Sequence, residues 1–131
     1  MINKLGHITI LVNDYDEAIR FYTEKMGFNL LKDISFGEGK RWVSVVPPSQ
    51  NDIALVFVLA DTIEKKLLVG KQASDHVFIT VETSNCHKTY TEMQNKGVNF
   101  YGVPREVPWG LEVVFEDLYG NRFDLVQHNG Y

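Results

Sequence analysis

Two stretches of this sequence carry the same pattern, and no other feature narrows the possible folds as much. GHITILV starts at Gly6 and DHVFITV at Asp75, so His7 and His76 occupy one position of one strand-like run, 69 residues apart. Tyr22, Thr23 and Glu24 return as Tyr90, Thr91 and Glu92 at a spacing of 68, and Gly27 returns as Gly97 at a spacing of 70. Drifts of one residue are what short insertions and deletions leave behind. A repeat of this length that occurs twice is too long and too rare for a stacked solenoid, so it points to a duplicated half-domain.

Each copy reads as β-α-β-β-β. In the first, the β-branched run from Leu5 to Val12 is a strand. Asp14 with Glu17 has the spacing of a capping box, and Tyr15, Ala18, Ile19, Tyr22 and Met26 fall on one helical face that Gly27 closes. Strand-like stretches follow at Phe28 to Phe36, Arg41 to Val46 and Ile53 to Leu59, parted by the turn signals GEGK and PPSQND. In the second, the run from Asp75 is a strand, and Ser84 caps a helix with Cys86, Tyr90 and Met93 on its apolar face. Strands are expected at Val98 to Val107, Leu111 to Phe115 and Arg122 to Gln127. The organisation is one domain over 1–131: a module over about 1–59, a surface linker with room for one helical turn over 60–74, and a second module over about 75–131.

Composition removes other classes. With 44% hydrophobic residues among 131, the chain is globular rather than disordered, and its net charge of −4 without any run of five like charges argues against nucleic acid or an anionic membrane as partner. A small molecule or another protein chain is expected instead. No apolar stretch reaches a membrane span, MINKLGHITILVND shows no small-residue cleavage site before Asn13, and Cys86 is the single cysteine; a cytoplasmic location is the expectation.

The opening GHITILVNDYDEAIRFYTEKMGF resembles that of the vicinal oxygen chelate superfamily, which includes glyoxalase I, extradiol dioxygenases, and fosfomycin- and bleomycin-resistance proteins. The ending FEDLYGNRFDLVQ is similar to that family's closing signature, an acidic turn with Gly and Asn before an acidic-Leu-hydrophobic strand. The resemblance implies an α+β, glyoxalase-like fold: two paired βαβββ modules forming a cup-shaped mixed sheet around a small ligand, commonly with a divalent metal at its floor. It also implies a homodimer.

In metal-using members the ligands come from the first and last strands of each module. By that resemblance the metal set here is His7, His76 and Asp124, with Fe, Mn, Zn or Ni as the ion. The fourth position, found by the repeat offset, is Leu55, which cannot coordinate. Loss of that carboxylate disfavours true glyoxalase I chemistry, where a carboxylate leaves the metal to act as base. Two histidines and one carboxylate form a facial triad that suits a lyase, transferase or dioxygenase, with the metal as Lewis acid. The family position of Asp124 is usually Glu, and an aspartate is shorter by about 1.5 Å. Leu55 and Asp124 together also fit a second function, metal-free sequestration of a small molecule as in bleomycin-resistance proteins.

Strand alternation puts Thr9 and Leu11 on the His7 face, Phe78 and Thr80 on the His76 face, and Arg122 and Val126 on the Asp124 face. Thr9, Phe78, Trp42, Arg105, Trp109 and Arg122 are the substrate-binding candidates, with Tyr101 beside them. Aromatics in such places also serve as ordinary packing. His87 and His128 read as surface positions, His128 also as a rim position, and Cys86 as a small buried hydrophobe. No catalytic residue outside the metal set is assigned.

Overall fold

The computed structural model describes residues 1–130. Its contacts separate into two compact units, Met1–Val69 and Gly70–Tyr131. Each unit is built around one four-stranded mixed sheet, and both sheets share one plan: the first strand of the unit pairs in parallel with the last, and the others pair antiparallel.

In unit 1 the order is β1 (His7–Val12), α1 (Tyr15–Arg20), β2 (Asn29–Gly37), β3 (Lys40–Val46), β4 (Ala54–Leu59) and α2 (Ile63–Leu68). Asp14 caps α1 by accepting from Glu17 N at 2.9 Å. The helix then widens into a π segment over Phe21–Lys25, where Met26 N donates to Phe21 O, before Gly27 leaves it at φ +77°. Glycine suits that left-handed turn because a Cβ there is sterically penalised. Tyr22 is fully buried and meets the Phe57 ring edge-on at 5.0 Å, so β1, β3 and β4 turn Ile10, Val12, Val43, Val45 and Phe57 toward the helix. Arg41 ties the rim of this unit: it pairs with Asp33 at 2.6 Å and Asp16 at 3.0 Å and lies over the Tyr15 ring. Its two carboxylate partners raise the guanidinium pKa, and Arg41 in turn holds Asp33 below the usual carboxylate range.

Part of segment 60–74, expected as a surface linker with room for one helical turn, forms α2 and bonds to the rest of unit 1. Ala60 N donates to Val12 O at 2.8 Å, Thr62 caps α2 by accepting from Lys65 N, and Asp61 pairs with both Lys40 and Lys65.

Unit 2 runs β5 (Val77–Glu82), α3 (Cys86–Asn95), β6 (Arg105–Val107), β7 (Gly110–Glu116) and β8 (Arg122–His128). Its core stacks Phe115 on Phe123 at 5.2 Å, and Phe100 links Phe115 to Tyr90 of α3. Two expectations are corrected. The cap of α3 is Asn85, accepting from Lys88 N, rather than Ser84, and Gln127 Oε1 accepts from Cys86 N. The strand expected from Val98 to Val107 is confined to Arg105–Val107, with a single bridge from Phe100 to Phe115. Gly102 at φ +146° and Pro104, which has no N–H to donate, interrupt it. Among the described residues no helix is long and apolar enough to cross a membrane.

Candidate functional site

Because side chains alternate along a strand, each sheet has a helix-packed face and an opposite face. In unit 1 the opposite face carries His7, Thr9 and Leu11 from β1, Ala54, Val56 and Val58 from β4, and Trp42 and Ser44 from β3. Leu55, the position marked by the repeat offset, lies on the other side. It pairs with Ile8 and Val45 and is buried toward the helix. The face-matched β4 residues Ala54, Val56 and Val58 carry no carboxylate either, so the shift of register changes the residue but not the consequence.

His7 opens β1 and its ring meets Trp42 edge-on, with centroids 5.2 Å apart. Between them runs a transverse row. Thr9 pairs with Val56, and Val56 pairs with Ser44. Ser44 is 2% exposed and its Oγ has no hydrogen-bond partner. A buried hydroxyl left unpaired costs about 1–3 kcal/mol.

In unit 2, His76 does not reach the strand. It sits one residue before β5, exposed, with Nδ1 2.9 Å from Val77 O. The β5–β8 register is irregular between Val77 and Ile79, at Phe78, and Thr80 pairs with Asp124. Asp124, Val126 and Arg122 share the face opposite Phe123 and Leu125, and so does Glu112 of β7, a residue that sequence reasoning passed over. Glu112 is buried and accepts from Arg105 Nη2 at 2.9 Å. It stands diagonally across the ladder from Asp124. Burial, then the hydrogen bond and the like charge shared with Glu112, push the Asp124 carboxyl up to about 7, against a smaller opposing pull from Arg105. Asp124 Oδ1 is buried and unpaired. The alternation of Glu112, Val114 and Glu116 along β7 was the available signal for this second carboxylate.

The remaining candidates have structural partners. Arg122 donates to Asp75 O and lies 4.8 Å from the Tyr101 ring centroid, and the Tyr101 hydroxyl donates to Glu116 at 2.9 Å. Trp109 lies in the turn between β6 and β7, where its carbonyl accepts from Asn129 N, and its side chain is exposed. Arg105 is a largely exposed partner of Glu112. His128 stands 3.7 Å from Glu82 beside a shallow cavity of about 520 Å³ lined also by Thr83, Ser84 and Gln127. Cys86 is fully buried, and burial, with the Asp124 charge second, raises its thiol pKa.

Among the described residues, neither unit by itself gathers three His, Cys, Asp or Glu side chains able to hold an ion. His7 is packed on Trp42, and Asp124 stands diagonally across the ladder from Glu112, which is itself tied to Arg105.

The profile of the Glyoxalase/Bleomycin resistance protein/Dioxygenase superfamily matches residues 4–125. An uncharacterized protein of Shewanella frigidimarina is 42% identical over 130 residues, covering 98% of this chain and 96% of that one. Among solved structures, UcmS2 superposes with a TM-score of 0.85 at 32% identity, covering 97% of this chain and 99% of its own. TnmS3, an antibiotic binding protein from Streptomyces sp. CB03234, does so with a TM-score of 0.77 at 28% identity, covering 98% of each chain.

Proposed function

Since this chain belongs to the glyoxalase/bleomycin resistance protein/dioxygenase superfamily, we propose that it is a small-molecule binding protein whose ligand is held by side chains and not by a resident metal. The observation that carries this reading is the Glu112–Asp124 carboxyl pair. Glu112 is buried and already tied to Arg105, and without a bound cation the Asp124 carboxyl, raised to about 7 by burial and by Glu112, is available as a hydrogen-bond donor near neutral pH. The likeness to the antibiotic binding protein TnmS3 over nearly the full length of both chains supports the same reading. In this account Asp124 and Glu112 present a hydrogen-bonding pair on the open face of the unit 2 sheet, and Trp42 presents an aromatic surface on that of unit 1.

One observation favours the metal-dependent enzyme instead. If His76 Nδ1 donates to Val77 O, Nε2 is left as the lone-pair nitrogen, an arrangement frequent among metal-bound histidines. A metal would then act as Lewis acid toward two oxygens of a substrate, with His7, His76 and Asp124 as its holders.

The two readings differ in metal content. Untagged protein incubated with Fe(II), Mn(II), Zn(II) or Ni(II), desalted and submitted to elemental analysis is expected to retain well under one ion per chain, with no difference in His7→Ala or Asp124→Ala. One ion per chain that both substitutions abolish would overturn the proposal. Light scattering on the same samples addresses the homodimer, which belongs to the proposal as well. β2 is an edge strand exposing Leu30, Leu31, Ile34 and Phe36, the kind of apolar edge that natural proteins cover.

A further inference from the structure

We propose that Ser44 is a ligand-contacting residue: its hydroxyl hydrogen-bonds an oxygen substituent on a flat aromatic ligand that enters the unit 1 face by parting His7 from Trp42. The inference rests on the small-molecule binding reading above and adds to it a residue and a ligand class.

Ser44 interrupts the valines of β3, with Val43 before it and Val45 and Val46 after it, all buried. An alanine or valine would occupy this position without burying a polar group. The serine instead carries an Oγ that is buried and meets no partner. Neither neighbouring strand supplies a partner: Ser44 pairs with Val56 on one side and, beside the register shift at Leu31, with Lys32 on the other, and its Oγ is bonded by neither. A hydroxyl in that state is suited to a partner that arrives from outside the chain.

The register shows where such a partner would enter. His7 lies two residues before Thr9 on β1, and Trp42 lies two residues before Ser44 on β3. β1 and β3 run in opposite directions, since β1 is parallel to β4 and β4 is antiparallel to β3. The two rings therefore stand on opposite sides of the Thr9–Val56–Ser44 row and meet diagonally across it, above Val56, which is 2% exposed. His7 is exposed at the first position of its strand, whereas Trp42 is held within β3. The histidine is thus the movable partner. An edge-to-face ring contact is weak enough for a flat aromatic ligand to replace it by stacking on Trp42. Ser44 is the next residue on the same face, about 7 Å along the strand, which is the distance from a bicyclic ring's centre to a ring substituent and its hydrogen-bond partner.

Quinoline and 6-hydroxyquinoline form a matched pair that differs in one hydroxyl. The full-length, 15N-labelled protein would be titrated with each, following the Trp42 indole N–H resonance, assigned by its loss in Trp42→Phe. The hydroxylated probe is expected to bind about fivefold more tightly. In Ser44→Ala quinoline should bind as in the wild type, while the advantage of the hydroxyl disappears; an unchanged amide spectrum away from β3 confirms that this variant is folded. If the hydroxyl advantage persists in Ser44→Ala, or if the wild type shows no advantage although both probes bind, the role of Ser44 is overturned and the binding reading stands. If neither probe moves the Trp42 resonance, both the subsite and the assignment of this face to ligand binding are overturned.

Discussion

Gly110→Ala is expected to lower the unfolding free energy by at least about 3 kcal/mol and the melting temperature by on the order of 10 °C. Gly110 begins β7 opposite His128, at φ +147°, and a Cβ built there falls 1.8 Å from Gln127 O and 2.9 Å from Gln127 C. Neither atom is the end of a flexible side chain, so the β7–β8 ladder itself must move. That ladder sets Glu112 diagonally across from Asp124, and Gln127 supplies the acceptor for the first turn of α3. Gly102 provides the control. It has nearly the same torsion, φ +146°, but nothing lies within 4 Å of its Cβ position. Gly102→Ala should therefore show the conformational cost alone, about 1–2 kcal/mol. Urea denaturation of both variants separates the two causes, and equal losses would show that the close approach at Gly110 contributes nothing.

Asp124→Asn is expected to stabilise the protein above pH 7.5, an unusual direction for removal of a charge. The folded-state pKa of Asp124 is raised to about 7 from 3.8. Between those values the folded chain binds a proton that the unfolded chain has released, so stability from this group is fully present below about pH 4 and is lost as pH rises through about 7. The full effect is about 2–4 kcal/mol, the upper figure being the whole shift assigned to Asp124 alone. Asparagine keeps the shape and cannot ionise. The difference in unfolding free energy between variant and wild type should grow from near zero at pH 4 to its plateau above pH 7.5. A flat difference across that range would mean that the Asp124 carboxyl is not raised in the folded protein. A loss of stability in the variant that appears only in metal-loaded protein would favour the metal-bound alternative.

Much of the fold was legible because its signals are local. The Asp14–Glu17 spacing marks the start of α1, Gly27 and Gly97 both adopt positive φ after their helices, and β1 alternates as its pattern requires. The repeat exposed the duplication because equivalent strands and helices kept their residue types over both copies. What the sequence hid depends on register and on tertiary partners. An offset measured on β1 and β5 did not carry over to β4 and β8, and one residue of slip places Leu55 on the helix side of its sheet while Asp124 faces the other way. The strand expected over Val98 to Val107 is cut short because Gly102 adopts φ +146° and Pro104 has no N–H to give the ladder. Glu112 and Ser44 looked like ordinary strand residues; only burial, and the absence of a partner for Ser44 Oγ, distinguish them. His76 was placed by its match to His7, but the turn from Gln72 to His76 ends one residue later than that match requires.

The central claim is that the ligand is held without a metal, and thermal unfolding tests it directly. A panel of aromatic antibiotics would be screened against the full-length protein twice, once with excess EDTA and once with added Zn(II), Mn(II) or Ni(II). A ligand that binds the native state raises its melting temperature by mass action. The account predicts at least one ligand whose shift is the same in both conditions and is reduced by Ser44→Ala or Trp42→Phe. Shifts that appear only with metal, and vanish in His7→Ala and Asp124→Ala, would contradict it.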